Sequence, residues 1–100
     1  MYIEHQVQKI RPGKWTELDV IDKKFNSVES REGFPSKRRM RCYIGGYSIN
    51  TLIVEREWNS LSEMEAAYMK LFMDPDWQTL ASEFDTLCES TQYEIYMVLA

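Results

Sequence analysis

The stretch EREWNSLSEMEAAY at residues 55–68 decides the fold, because a strand ends and a helix begins within it. Ser60 and Glu63 have the spacing of a capping box, in which the serine and glutamate side chains bond to free backbone amides at a helix start. Further along, DPDWQTLASEF at 74–84 begins with Asp74, a favoured N-cap residue, and then a proline suited to the first helical turn. We therefore predict two consecutive short helices in this part of the chain.

Four strands and one longer helix are predicted around these two helices. Side chains of alternating polarity indicate strands, and apolar residues at three- or four-residue steps indicate a helix. The Gly45-Gly46 pair is typical of a two-residue hairpin turn. In chain order, the predicted segments are a strand at 2–10, a helix along 15–28, hairpin strands at 36–44 and 47–57, and a strand at 91–99.

This order of elements is β-α-β-β-α-(α)-β, which predicts an α+β, ferredoxin-like domain whose second helix is split in two. One hundred residues suit a single domain, and we assign 1–100 to it. A four-stranded antiparallel sheet with helices on one face leaves its other face open. The Gly-Gly turn sets a register with Arg38 opposite Ile53, although a slip of one residue would exchange the two faces. On that register the open face, predicted to meet a partner, carries Tyr43, Leu52, Val54 and Tyr96.

Composition narrows the class of protein. The chain has 44% apolar residues and a net charge of −4, which argues against a nucleic-acid partner because phosphate binding normally needs a basic surface. No apolar stretch is long enough to cross a bilayer, and no secretory signal precedes the first strand, so we expect a cytoplasmic protein without a membrane partner. Cys42, Cys88 and the single His5 are too few for a structural zinc site, and we expect reduced thiols, no metal and no cofactor.

The chain resembles NIPSNAP-like proteins of the dimeric α/β-barrel superfamily. The resemblance lies in YIEHQVQKIRPGKWTEL at 2–18, INTLIVEREWNSLSEMEAA at 49–67 and DPDWQTL at 74–80, and so spans nearly the whole domain. It implies a homodimer in which two sheets pack face to face as a barrel, and such packing would cover the open face. The superfamily includes cofactor-free monooxygenases, haem-degrading enzymes and isomerases, but a shared fold does not assign an activity.

His5 is the candidate residue for chemistry, since only histidine titrates near neutrality without help from its surroundings. Its alternation with Ile3 and Val7 predicts a place on the helix-facing side of the first strand. There it would share a ligand site with Thr51 and Tyr68, as a proton acceptor or a hydrogen-bonding group. The alternative is a structural histidine that is satisfied by a neighbouring polar group.

Two functions remain open from the sequence. The first is a small homodimeric protein that binds a small organic molecule between helices and sheet. The second is a cofactor-free monooxygenase or isomerase acting on an aromatic or polyketide-like small molecule, with His5 and a tyrosine or threonine moving protons. Whether the protein is an enzyme depends on whether the cleft between helices and sheet is open and polar or is filled by aromatic side chains, and the sequence does not decide this. The aromatic residues that would fill it are Trp15, Phe25, Tyr68 and Trp77.

Overall fold

A computed structural model describes residues 1–100 as one antiparallel sheet covered on one face by helices. The strands lie in the order β2-β3-β1-β4, so β1 and β3 are central and β2 and β4 are the edges. This is the ferredoxin-like arrangement, and the predicted fold class is confirmed for the single chain. The elements are β1 (Tyr2–Ile10), α1 (Trp15–Arg31), β2 (Arg38–Arg41), β3 (Thr51–Trp58), α2 (Leu61–Phe72), α3 (Pro75–Asp85) and β4 (Cys88–Met97).

The two short helices begin where capping residues satisfy their free backbone amides. The Ser60 hydroxyl accepts a hydrogen bond from the Glu63 amide at 3.1 Å, and the Asp74 carboxylate accepts one from the Asp76 amide at 2.8 Å. Asp74 also pairs with Arg31, the last residue of α1, at 2.5 Å. Hydrogen bonding from Arg31 is the largest of the effects that lower the pKa of Asp74. One carboxylate therefore caps α3 and ties it to the end of α1.

The β2–β3 hairpin differs from its prediction. A nine-residue loop at 42–50 joins the strands in place of a two-residue turn, and Arg38 lies opposite Glu55 rather than Ile53. A type I′ turn requires positive φ at both central residues, and here only Gly45 has it. The register therefore moves by two residues. Because side chains alternate between the faces with a period of two, residues predicted to share a face of β2 and β3 still share one.

In β1 and β3, each face of the sheet carries the residues that were predicted to lie on the other face. Gln6 lies across from Val54 and Gln8 across from Leu52, and these four side chains point toward the helices and line the space beneath them. Leu52 and Val54 are only 4% and 6% exposed within the core. Their predicted place on the open face is therefore wrong.

The open face instead carries the odd-numbered residues of β1 and β3, with Val7 opposite Ile53 and His5 opposite Glu55. Tyr96 lies on this face, as predicted, opposite Ile3. Tyr43 lies in the loop at 42–50 and is largely exposed. For β1 the prediction failed because it placed the more apolar side of the strand inward, whereas the inward polar side chains bond to one another. For β3 it failed because it placed the more apolar side, with Leu52 and Val54, outward.

The core lies between the sheet and the helices and is built from apolar residues of every layer. Of the predicted α1 stripe, Leu18, Ile21 and Val28 are buried, and Trp15 and Phe25 pack against the core at its edge. Ile10, Leu18 and Leu71 are the largest fully buried side chains. None of the three helices combines the length and apolar character needed to cross a membrane.

Candidate functional site

A cavity of about 330 Å³ lies between the helices and the sheet. It is partly open to solvent, and its volume lies within the range of small-molecule sites. Its wall combines a group of aromatic side chains with a few polar ones. The aromatic residues are Phe25, Phe72, Trp77 and Phe84, and the polar and charged ones include Gln6, Gln8, Arg56 and Tyr68.

A buried carboxylate lies behind this wall. Glu4 is 2% exposed and accepts hydrogen bonds from Trp58 Nε1 at 3.0 Å, from Gln6 Nε2 at 3.3 Å and from the Tyr68 hydroxyl. Three donors offset the large cost of removing a carboxylate from water. Burial, followed by the negative charge of Glu4, raises the pKa of Tyr68. Tyr68 therefore stays protonated near neutral pH and serves as a hydrogen-bond donor.

The two glutamines extend this network along β1 into the cavity. Gln6 Nε2 donates to the Tyr68 hydroxyl at 2.9 Å, and Gln8 Nε2 donates to Gln6 Oε1 at 3.1 Å. These donors all point toward Glu4, so each amide has one fixed orientation and the bonds reinforce one another. The network presents a row of oriented polar groups to the cavity.

A cluster of ion pairs lies beside this network in the cavity wall, since Arg56 is the cross-strand neighbour of Glu4. Arg56, which is 3% exposed, donates through Nη2 to Glu29 at 2.5 Å and through Nε to the Pro35 carbonyl at 3.3 Å. Lys37 Nζ lies 2.7 Å from Asp22 and 3.1 Å from Glu29. Because each buried charge has an opposite partner, the cluster is tolerated in the interior. It fixes a guanidinium group in the cavity wall.

The structure does not bring the predicted ligand residues together. Tyr68 lines the cavity, whereas His5 lies on the open face, with Nε2 2.7 Å from Glu55 and its ring 5.4 Å from that of Tyr96. Thr51 is on the same face as His5 but four residues from Glu55 along β3, or about 13 Å at the rise of a strand. The predicted placement of His5 beside Tyr68 is therefore wrong. A role for Tyr68 in binding stays a prediction.

Gln6, Gln8 and Arg56 were not predicted to line the cavity, and Glu4 was not predicted to lie buried behind its wall. Polar residues at alternate positions of a strand are usually solvated, so these residues were predicted to lie on the outer side of the sheet. The ferredoxin-like fold itself could have indicated these residues. Its β1 and β3 are the central strands, so one side of each is covered by helices, and polar side chains on that side must find hydrogen-bond partners in the interior. No group of three or more His, Cys, Asp or Glu residues is arranged to hold a metal ion.

The open face has a charged row across its middle and apolar residues on both sides. The row contains one residue from each strand, in the order Arg38, Glu55, His5 and Glu94. Hydrogen bonding from His5 is the largest of the effects that lower the pKa of Glu55, and Arg38, 2.7 Å away, acts in the same direction. The apolar residues beside the row are Ile3, Val7, Met40, Ile53 and Tyr96.

Comparison with known proteins identifies the fold. No protein-family model matches the chain, and no curated protein matches it significantly in sequence. Solved structures do match. An uncharacterized NIPSNAP domain protein from Burkholderia xenovorans is 19% identical with a TM-score of 0.79, over 100% of this chain and 96% of its own. A NIPSNAP family protein from Agrobacterium tumefaciens is 22% identical with a TM-score of 0.81, over 96% of this chain and 90% of its own.

A more distant match has a described activity. SnoaB, a cofactor-independent oxygenase from Streptomyces nogalater, is 12% identical with a TM-score of 0.72, over 99% of this chain and 93% of its own. Identities this low establish a common fold and leave the chemistry open. The chain has the fold of the NIPSNAP proteins, and the resemblance inferred from its sequence is confirmed at the level of the fold.

Proposed function

We propose that residues 1–100 form one domain that binds a small organic molecule in the cavity between helices and sheet. The observation that carries this proposal is the fixed polar network in the cavity wall, facing a group of aromatic side chains. Ligand sites combine apolar walls with a few oriented polar groups in this way. Burying a glutamine costs free energy unless its amide is hydrogen-bonded, whereas apolar side chains would fill the space beneath the helices without needing partners. A purely structural role would therefore favour apolar residues here.

Binding rather than catalysis is the function that these contacts support. The oxygenase or isomerase alternative relied on His5 as a proton acceptor next to a tyrosine in the cleft. His5 lies on the opposite face of the sheet from Tyr68 and bonds to Glu55. Because the pKa of Tyr68 is raised, its hydroxyl stays protonated near neutral pH, and no tyrosinate is present to take a proton from a substrate.

The cavity proposal is tested by filling the space. Ala81 lies in the cavity wall on α3, so Ala81→Trp places an indole inside it, while Ala66→Trp places the same group on the exposed side of α2. We expect aromatic fragments to bind the wild type and Ala66→Trp saturably in ligand-observed NMR, and to lose binding to Ala81→Trp. Equal binding to a folded Ala81→Trp variant would contradict a site in this cavity.

The same proposal includes a homodimer formed through the open face. A sheet that is apolar on the side without helices normally has that side covered by another layer. Ile53 and Ile3 belong to this side, and the row from Arg38 to Glu94 alternates basic and acidic residues, which a second copy could complement. The resemblance to NIPSNAP-like proteins implies that two sheets pack face to face as a barrel, and this arrangement agrees with that expectation. A cytoplasmic location, where the free Cys42 and Cys88 would stay reduced, completes the proposal.

A further inference from the structure

Arg56 has a hydrogen-bonding group that the protein does not use. Its Nε and Nη2 atoms donate to Pro35 and Glu29, whereas Nη1 donates to no protein atom. Arg39 Nε is the sole side-chain nitrogen or oxygen of the chain that is both fully enclosed and without a partner. Arg56 Nη1 is therefore not fully enclosed, and the space that Arg56 lines is this cavity.

The direction of this free group is fixed by the surroundings of Arg56. Two of its three nitrogens are held by Glu29 and Pro35, and its guanidinium carbon lies 5.1 Å over the ring of Phe34. A guanidinium group has donors and no acceptor, and its planar shape suits the oxygen of a carbonyl or carboxylate. Since the group is held before a ligand arrives, little conformational freedom is lost on binding.

The rest of the wall indicates what the acceptor oxygen is attached to. Aromatic rings follow one another along the cavity, with ring centres 5.6 Å apart between Tyr68 and Phe72 and 5.0 Å apart between Phe72 and Trp77. Flat aromatic molecules stack well against such rings. We propose, on the basis of the cavity function above, that the ligand is an aromatic compound with a carbonyl or carboxylate oxygen, which Arg56 Nη1 binds.

Three probes of similar size test this specificity. 2-Acetonaphthone has a neutral acceptor oxygen, 2-naphthoate has an anionic one, and 2-ethylnaphthalene has none. We expect the wild type to bind at least one of the oxygen-containing probes about 10- to 100-fold more tightly than 2-ethylnaphthalene, the ratio typical of a hydrogen bond to a charged donor. Whichever of the two binds better shows whether the natural acceptor is neutral or anionic.

Arg56→Met removes the donor, and Arg41→Met is the matched control. Arg41 lies on the same face of the sheet, over the ring of Trp15, but outside the cavity wall. The preference for an acceptor oxygen should disappear in Arg56→Met and persist in Arg41→Met. If Arg56→Met does not fold, the Arg56 guanidinium resonances of the ¹⁵N-labelled wild type should shift with 2-acetonaphthone or 2-naphthoate and stay in place with 2-ethylnaphthalene.

The outcomes separate the two proposals. Equal affinity for all three probes at a site that Ala81→Trp abolishes would overturn the role of Arg56 and leave the cavity as a binding site. Binding that Ala81→Trp does not affect, or no saturable binding of any probe, would overturn the cavity function and the role of Arg56 with it.

Discussion

Along β1, the two faces of the sheet have exchanged the polarity expected of them. Beneath the helices, β1 presents Glu4, Gln6 and Gln8, whereas its side away from the helices presents Ile3 and Val7. A sheet whose only role was to support helices would bury its apolar side there. Polar groups held inside next to a cavity indicate a binding site, and apolar groups on the uncovered side indicate a surface for another chain.

Neighbouring residues of β3 give the sharpest test of this difference. Leu52 faces the helices and is 4% exposed, while Ile53 is on the open face. Leu52→Asp should cost more than about 4 kcal/mol of unfolding free energy, because a charge without a partner enters the core. Ile53→Asp should leave each chain folded but prevent dimer formation.

Urea denaturation and light scattering distinguish these outcomes. We expect the wild type to have twice the chain mass of 11.9 kDa and Ile53→Asp to have that mass once, with a native circular dichroism spectrum. A wild-type protein that is monomeric at micromolar concentration would contradict the role assigned to the open face. A stable, folded Leu52→Asp variant would contradict the placement of the core.

A smaller effect is expected from the buried network of the helix-covered face. Tyr68→Phe deletes one of the three donors to the Glu4 carboxylate and should reduce the unfolding free energy by about 1–3 kcal/mol. The Tyr2 hydroxyl makes no hydrogen bond within the chain, so Tyr2→Phe is the control and should change stability by less than about 0.5 kcal/mol. Equal losses in the two variants would show that the Glu4 network does not contribute to stability.

The smallest effect concerns pH and the open face. Glu55 has a pKa lowered from 4.5, first by His5 and then by Arg38. Its pairing therefore contributes stability above the unfolded pKa, and this contribution is lost as the pH falls below about 4.5 through the lower folded value. Glu55→Gln should flatten the acid side of the stability curve. Glu57→Gln, at an exposed site without an ion pair, should leave the curve unchanged when urea denaturation is followed from pH 6 to pH 2.5.

The helices and the order of elements along the chain could be predicted from the sequence because their signals are local. Ser60 and Asp74 mark helix starts by their own chemistry, and the apolar spacing along α1 identifies its buried side. The loop at 42–50 was not predictable from Gly45-Gly46, since the same pair can lie within a longer connection. Its conformation depends on contacts such as that of Cys42 with Thr51, whose backbone groups bond at 3.0 Å.

The candidate site was harder to predict because it depends on pairing across the sequence. Glu4 is acceptable inside only because Trp58 and Tyr68, more than fifty residues away, supply donors. Arg56 likewise depends on Glu29 of α1. When polar residues of a strand are assumed to face solvent, residues such as these are predicted on the outer side. The same assumption placed His5, together with Ile3 and Val7, on the wrong side of the sheet.

The separation of ligand binding and dimer formation between the two faces is tested most directly by methyl NMR of the wild type, with 2-acetonaphthone and, separately, on dilution. The probe should shift the methyl signals of Leu52 and Val54, which line the cavity, and leave those of Ile3 and Ile53 in place. Dilution should produce the reverse pattern as dimers dissociate. Probe-induced shifts confined to Ile3 and Ile53 would place the ligand against the open face and contradict the separation of binding and assembly between the two faces.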